Sequence, residues 1–133
     1  MGAQAGSITP KTVREYIVFS SAARTATPTP GDFYNPSGNG IYVRINVSAV
    51  GVTPSVVFTI QGYDPAAAAW FDLLASAAIT GTGTTVLRVH PALTASANLI
   101  AKDLVPLRWR VNAVHGNATT ITYSVGAFTS GMV

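Results

Sequence analysis

The chain has 133 residues, of which only 10% are charged and 48% are hydrophobic, and it contains no cysteine. Soluble domains carry about 25% charged residues, so we expect this chain to bury part of its outer surface against other chains. The absence of cysteine excludes disulfides, a thiol nucleophile and cysteine-ligated metal sites. The eight basic residues are scattered along the chain, which argues against specific nucleic-acid binding despite a net charge of +3.

The N-terminal region is the least regular part of the sequence. We expect residues 1–11 to form an extended arm and residues 12–133 to form a single domain, since a chain of this length supports one core. Residues 13–21 have the composition of a strand. Residues 22–31 contain two prolines among small polar residues and are expected to form an extended loop.

The clearest strand signal is a period-two alternation of apolar and polar residues over residues 41–48. Residues 35–40 are rich in turn-forming types and are expected to form a loop that leads into this strand, and residues 51–54 are expected to end it. The side chains predicted to point into the core are Ile41, Val43, Ile45 and Val47.

A second alternation, at residues 56–61, is expected to end in a turn at residues 62–65. Residues 70–74 would then return as the second strand of a hairpin. Asp64 precedes a proline in that turn, where its carboxylate is expected to cap backbone N–H groups instead of acting in catalysis.

The C-terminal half contains three more predicted strands. Residues 85–90 alternate after a glycine-rich turn, and the following residues 92–103 are expected to form a loop. Residues 107–113 and 121–125 give the last two strands, which are separated by a turn at residues 115–117. The side chains predicted to face inward on these two strands are Leu107, Trp109, Val111, Ala113, Ile121, Tyr123 and Val125.

The pattern as a whole predicts an all-β fold with about seven or eight strands. No helical pattern is long enough to connect parallel strands, so we expect an antiparallel β-sandwich of the jelly-roll or immunoglobulin-like type. The charge-free stretch after Arg110 is interrupted by polar residues too often to predict a membrane span.

Candidate catalytic residues are few. The sequence has five acids and two histidines, a thin supply for acid–base chemistry. His90 is predicted at a strand end and His115 in a turn, and neither has a third metal ligand near it in sequence. Nucleophile-elbow and phosphate-binding glycine motifs are also missing. We therefore expect no enzyme activity, no metal and no cofactor.

Aromatic residues suggest one binding function. Tyr34, Tyr42, Tyr63 and Trp70 could form a stacking platform for sugar rings, as in carbohydrate-binding β-sandwich modules. The competing interpretation places Trp70 and Trp109 in the core, where a tryptophan at an apolar strand position usually lies.

The outward arginines of the predicted strands suggest another binding function, a contact with a second subunit. Arginine forms paired hydrogen bonds to carboxylates and is favoured at interfaces. With only five acids in the chain, we expect these arginines to find carboxylates on another subunit, the alternative being a solvated sheet face. They are Arg44, Arg88, Arg108 and Arg110.

Several strand and turn patterns together resemble small β-sandwich virion proteins of tailed bacteriophages. The segments that carry the resemblance are residues 55–65, 70–73, 107–111 and 119–126, and the likeness extends over about residues 40–126. It implies a capsid decoration, or cement, protein that binds the major capsid protein lattice and copies of itself, as a homo-oligomer such as a trimer. Its expected location is the phage head surface, after synthesis in the host cytoplasm.

Two other functions stay open from sequence. One is a structural component of a phage tail or head fibre, and the other is a carbohydrate-binding module. For the virion role we expect neither nucleic acid nor membrane as a partner, and we expect subunit contacts through the charge-free ends and the outward arginines. The candidate interface residues are Gln4, Ile8, Arg44, Arg88, Arg108, Arg110, Phe128 and Met132.

Overall fold

The computed structural model describes residues 14–35 and 38–131. All of the regular secondary structure within these ranges consists of β-strands. Their number is nine, against the seven or eight predicted, because two strands of three and two residues are too short to show a period-two pattern. The strands are β1 (Arg14–Arg24), β2 (Asp32–Tyr34), β3 (Gly38–Val50), β4 (Val56–Asp64), β5 (Ala69–Ala75), β6 (Gly83–Val89), β7 (Ile100–Ala101), β8 (Arg108–His115) and β9 (Ile121–Gly131).

The strands form two sheets, a five-stranded one in the order β1-β9-β3-β6-β7 and a four-stranded one in the order β2-β8-β4-β5. All pairings are antiparallel except that of β6 with β7. The pairs are nested along the chain: β1 with β9, β2 with β8, β3 with β6, and β4 with β5. A long hairpin rolled up in this way is a jelly roll, so the structure selects that type of sandwich over the immunoglobulin-like one.

The core lies between the two sheets and is built from the alternation seen in the sequence. The inward residues predicted on β3 and β9 are all buried, and so are Trp109, Val111 and Ala113 on β8. In the alternation of β4, the buried apolar set is Val56, Phe58 and Ile60. Phe58 of one sheet meets Tyr123 of the other edge-to-face, with 5.0 Å between the ring centroids. Burying an apolar side chain of this size contributes about 1.5–3 kcal/mol, so such contacts between the sheets stabilise the fold.

An irregularity in the edge strand β1 places two consecutive side chains in the core. The register of β1 against β9 shifts on both sides of Val125, so that the consecutive residues Val18 and Phe19 are both buried. Arg24 then folds back over this edge, with its guanidinium 4.6 Å from the Tyr123 ring centroid. Its side chain donates hydrogen bonds to the carbonyls of Ser20 and Tyr123 at 2.7 and 3.0 Å. The arginine therefore covers apolar rings while its charge is satisfied by backbone carbonyls.

The hairpin of β4 and β5 turns later than predicted. Residues 62–64, assigned to the turn from sequence, continue β4, and the turn lies at residues 65–68. The capping role predicted for Asp64 is confirmed, since its Oδ1 accepts hydrogen bonds from the backbone N–H groups of Ala66 and Ala67 at 2.9 and 3.2 Å. The strand pairing over Tyr63 and Trp70 outweighed the turn propensity of the glycine.

Other boundaries also differ from the sequence prediction. Residues 22–24 belong to β1 because they pair with β9, although they were expected to be a loop. The predicted loop at residues 92–103 contains β7, and the predicted loop at residues 35–40 ends earlier, since β3 begins at Gly38. Leu107, predicted to face the core, is 57% exposed because β8 begins only at the next residue.

The expected arm at residues 1–11 lies outside the described residues. Residues 14–35 and 38–131 include no helix that could cross a membrane.

Candidate interaction surfaces

The outer surface of the five-stranded sheet, which we call the five-stranded face, is crossed by rows of outward side chains. In the first row, Glu15 on β1 is followed by Phe128 on β9, Tyr42 on β3 and Arg88 on β6. The rings of Phe128 and Tyr42 lie 5.8 Å apart, and the Arg88 guanidinium is 5.4 Å from the Tyr42 centroid. The row therefore presents two aromatic rings between an acid and a base.

The second row of this face consists of Ile17, Gly126, Arg44 and Val86. Ile17 is 78% exposed, so a large apolar side chain projects from this row. Since Gly126 has no side chain, it leaves a depression of about 390 Å³ that is lined by Ile17, Arg44 and Phe128 among others. The second row thus has a protruding apolar residue next to a gap.

A second depression, of about 410 Å³, lies beside the first row, near the start of β3 and the end of β6. Its lining includes Tyr42, His90, Leu93 and Phe128. Gly40 allows the His90 ring to approach closely, because a Cβ at that position would lie 2.4 Å from His90 Cδ2. The depression is mostly apolar and continues the aromatic surface of the first row.

The outer surface of the other sheet is called the four-stranded face. Hydrogen bonds between side chains connect neighbouring strands on this face. Arg108 Nε donates to Asp32 Oδ2 at 2.6 Å, and Arg110 Nε donates to Gln61 Oε1 at 2.7 Å. Gln61 Nε2 in turn donates to Asp72 Oδ1 at 2.9 Å. Because these five residues lie on β2, β8, β4 and β5, the network connects all four strands of the sheet.

Aromatic rings support the arginines of the four-stranded face. The Arg108 guanidinium lies 4.3 Å from the Tyr63 centroid, and the Arg110 guanidinium lies 4.3 Å from the Trp70 centroid. The rings of Tyr63 and Trp70 themselves meet edge-on at 5.0 Å. Cations over ring faces are attracted by the ring quadrupole, which favours the observed positions of the two arginines.

The charges on this face perturb one another. The hydrogen bond from Arg108 lowers the pKa of Asp32 below its usual value, and the same bond raises the pKa of Arg108. Burial lowers the pKa of Arg110, and the nearby charge of Asp32 partly offsets this effect. Asp32 and Arg108 therefore form an ion pair at neutral pH.

Several exposed apolar residues lie at the end of the sandwich where β8 begins, and we call this the apolar end. It consists of Tyr34, Phe71, Leu104 and Leu107, all exposed. Asn35 N–H donates to the Leu107 carbonyl at 2.6 Å, which holds the segment before β8 against the end of β2. This surface was not predicted from the sequence, although apolar residues on both sides of the proline in the segment 104–107 were a signal for it.

The predicted interface residues are divided among separate places. Arg44, Arg88 and Phe128 lie together on the five-stranded face, whereas Arg108 and Arg110 lie on the four-stranded face. The expectation that these arginines lack carboxylates within the chain is wrong for Arg108, because Asp32 on the neighbouring strand pairs with it. The other predicted residues, Gln4, Ile8 and Met132, lie outside the described residues.

The predicted aromatic platform is also divided. Tyr42 lies on the five-stranded face, while Tyr63 and Trp70 lie on the four-stranded face. The core position expected from sequence is confirmed for Trp109, which is fully buried, and is wrong for Trp70, which points outward. Guanidinium groups already contact the Trp70 ring, and they would compete with a sugar for its face.

The histidines are engaged within the fold. His90 Nδ1 accepts a hydrogen bond from the Ala92 N–H at 3.0 Å. His115 Nε2 and the Tyr123 hydroxyl are hydrogen-bonded at 3.0 Å. Burial lowers the pKa of His115, with a smaller effect from Arg24, and burial raises the pKa of Tyr123 to about 12. In residues 14–35 and 38–131 no group of three or more His, Asp or Glu side chains is placed to hold a metal ion.

Comparison with known proteins shows similarity of fold. No protein-family model matches the chain, and no curated protein matches its sequence. The crystal structure of the SPBc2 prophage-derived protein YomS aligns over 96% of this chain and 100% of its own chain, with a TM-score of 0.57 and 12% identity. The structure of infectious bursal disease virus, Gx strain, aligns over 96% of this chain and 36% of its own, with 9% identity and a TM-score of 0.41, too low to support an inference. The chain therefore shares the fold of a prophage-derived protein over 96% of its length.

Proposed function

We propose that this chain is a noncatalytic structural protein of a bacteriophage virion, and specifically a capsid decoration protein. In this role it binds the lattice of the major capsid protein on the head surface and stabilises the head. The observation that carries the proposal is the apolar end, where four large side chains are each exposed: Tyr34, Phe71, Leu104 and Leu107. Exposed apolar patches of this kind mark protein–protein contacts.

Composition and fold support the same role. A chain with 10% charged residues has little charged surface with which to remain separate from partners. Jelly rolls are common in viral capsid domains and also in lectins, and the full-length likeness to a prophage-derived protein favours the phage context. Weak contacts by each copy would add up over a symmetric shell through multivalency.

The hydrogen-bonded network of the four-stranded face suits a docking surface near the apolar end. Arg108 begins β8 directly after Leu107, and its ion pair with Asp32 fixes the strand that ends at Tyr34. A partner that contacts the apolar end would therefore meet a preformed surface, which lowers the entropic cost of binding.

The proposal is tested with expanded capsids of the encoding phage from which this protein has been removed. The purified chain should bind these capsids saturably and raise their melting temperature. The double change Leu104→Ser and Leu107→Ser should weaken binding at least about tenfold, which corresponds to about 1.4 kcal/mol.

Val52→Ser provides a matched control, because Val52 is 82% exposed in the loop at the opposite end of the sandwich. This variant should bind like the unchanged chain. Failure of the chain to bind capsids, or its binding to purified tails instead, would contradict the decoration role. Saturable glycan binding that is lost in Trp70→Ala would favour the carbohydrate-binding alternative.

A further inference from the structure

The two outward rows of the five-stranded face have a property that goes beyond capsid binding: each is complementary to itself when reversed. The first row reads acid, aromatic, aromatic, base across β1, β9, β3 and β6, through Glu15, Phe128, Tyr42 and Arg88. Glu15 and Arg88 are separated by two intervening strands at about 4.8 Å per step. They are therefore too far apart to pair within one chain.

Consider a second copy placed over this face by a two-fold axis. The axis runs parallel to the strands and lies in front of the face, above the gap between β9 and β3. This operation puts β1 of each copy over β6 of the other at the same height along the strands. Glu15 then faces Arg88 of the second copy, and Phe128 faces its Tyr42. Since the contact is isologous, each of these pairs occurs twice. Packed sheets lie about 10 Å apart, a gap that Glu and Arg side chains can bridge together.

The second row fits the same arrangement independently. The two-fold axis places Ile17, which protrudes into solvent, over Val86 of the second copy. It also places the long side chain of Arg44 over Gly126, where the depression of about 390 Å³ lies. One symmetry operation thus pairs opposite charges, aromatic rings, apolar side chains, and a long side chain with a gap.

We propose that the five-stranded face is the interface of a symmetric dimer of this chain, with Glu15 of each copy paired to Arg88 of the other. Four strands at about 4.8 Å and about seven residues at 3.3 Å give a face of roughly 450 Å². A standard interface buries roughly 800 Å² per partner. The dimer is therefore expected to be reversible and to depend on protein concentration. It leaves the apolar end free, so dimerisation and capsid binding can fail separately.

The test uses charge exchange and sedimentation velocity over a dilution series. The unchanged chain should move from monomer to dimer as its concentration rises. Glu15→Arg alone or Arg88→Glu alone should weaken the dimer at least about tenfold, because each puts like charges face to face twice. An equimolar mixture of the two single variants should form dimers again, since every facing pair is then of opposite sign.

Two further variants keep the test independent of folding. Asp103→Arg makes the same charge change as Glu15→Arg in the exposed loop before β8, outside both rows, and should leave the dimer unchanged. Ile17→Arg changes an exposed side chain, so it should keep the thermal unfolding of the monomer while abolishing the dimer. The proposal is overturned if the unchanged chain stays monomeric at all concentrations, if it forms a trimer, or if the mixed variants fail to associate.

Discussion

The carboxylate of Asp32 and the guanidinium of Arg108 pair at 2.6 Å, and this bond ties the three-residue edge strand β2 to β8. Both side chains are 38% exposed, so solvent and salt screen the pair. Asp32→Asn should lower the melting temperature slightly at low ionic strength and less at high ionic strength. A matched Asp103→Asn change in the exposed loop before β8 should leave the melting temperature unchanged.

The same pair predicts the behaviour of the protein in acid. Since Arg108 lowers the pKa of Asp32 in the folded state, the pair stabilises the fold above the unfolded pKa of about 3.9. Its contribution is lost as the pH falls through the lower folded value. Urea denaturation between pH 5 and pH 2 should therefore show a smaller stability loss for Asp32→Asn than for the unchanged chain. Equal losses in the two proteins would contradict the ion pair.

His115 predicts a second pH effect at milder acidity. Its pKa is lowered in the folded protein, first by burial and then by Arg24, so the unfolded chain takes up a proton at a higher pH than the folded one. Stability should fall as the pH drops below about 6.5, until the folded pKa is passed. His115→Gln should reduce this loss between pH 7.5 and pH 5.5 in chemical denaturation, while His90→Gln should retain it.

Gly62 is required by close packing near the apolar end. A Cβ at this position would lie 2.6 Å from Pro106 Cγ and 2.7 Å from Phe71 Cζ. Gly62→Ala should therefore destabilise the protein by about 1–3 kcal/mol, the usual cost of overpacking. Gly81→Ala is the control, because nothing lies within 4 Å of its Cβ position. If the two variants unfold at the same urea concentration, the packing of this end differs from that described.

Trp109 combines complete burial with an indole N–H that has no hydrogen-bond partner among the described residues. Its ring lies 5.0 Å from Phe33 and 5.4 Å from Tyr16, centroid to centroid. Trp109→Ala should cost about 3–5 kcal/mol of unfolding free energy. Trp109→Phe should cost less than half as much, because it keeps the aromatic contacts and removes a buried donor. A phenylalanine variant as unstable as the alanine variant would indicate that the N–H is hydrogen-bonded.

Alternation of apolar residues predicted the core from the sequence. It identified the inward faces of β3, β4 and β9 and most of β8, because long strands buried on one side must repeat every two residues. It failed where a bulge breaks the period, as at Val18 and Phe19, and where a strand is as short as β7. Gly62 was assigned to a turn, because the residues that pack closely against it are distant in sequence and do not show in the local pattern.

The interaction surfaces were less predictable, since they depend on which strands become neighbours. The sequence marked four arginines as outward but could not show that Asp32 lies beside Arg108 while Arg44 and Arg88 lie on the opposite face. Of the two interpretations of Trp70, the core position was wrong. The contact of its ring with Arg110 depends on the pairing of β4 with both β5 and β8, which the sequence does not show. Jelly-roll pairing is nonlocal, so these contacts appear only in the folded chain.

The central claim is that this chain is a structural part of a phage head, and imaging of virions tests it most directly. Cryo-electron microscopy should compare particles from the encoding phage with particles from a mutant that lacks only this gene. We predict a repeated density on the head lattice that fits the two-sheet sandwich, contacts the capsid through the apolar end, and is missing from the mutant. Heads that are identical in the two preparations would contradict the account.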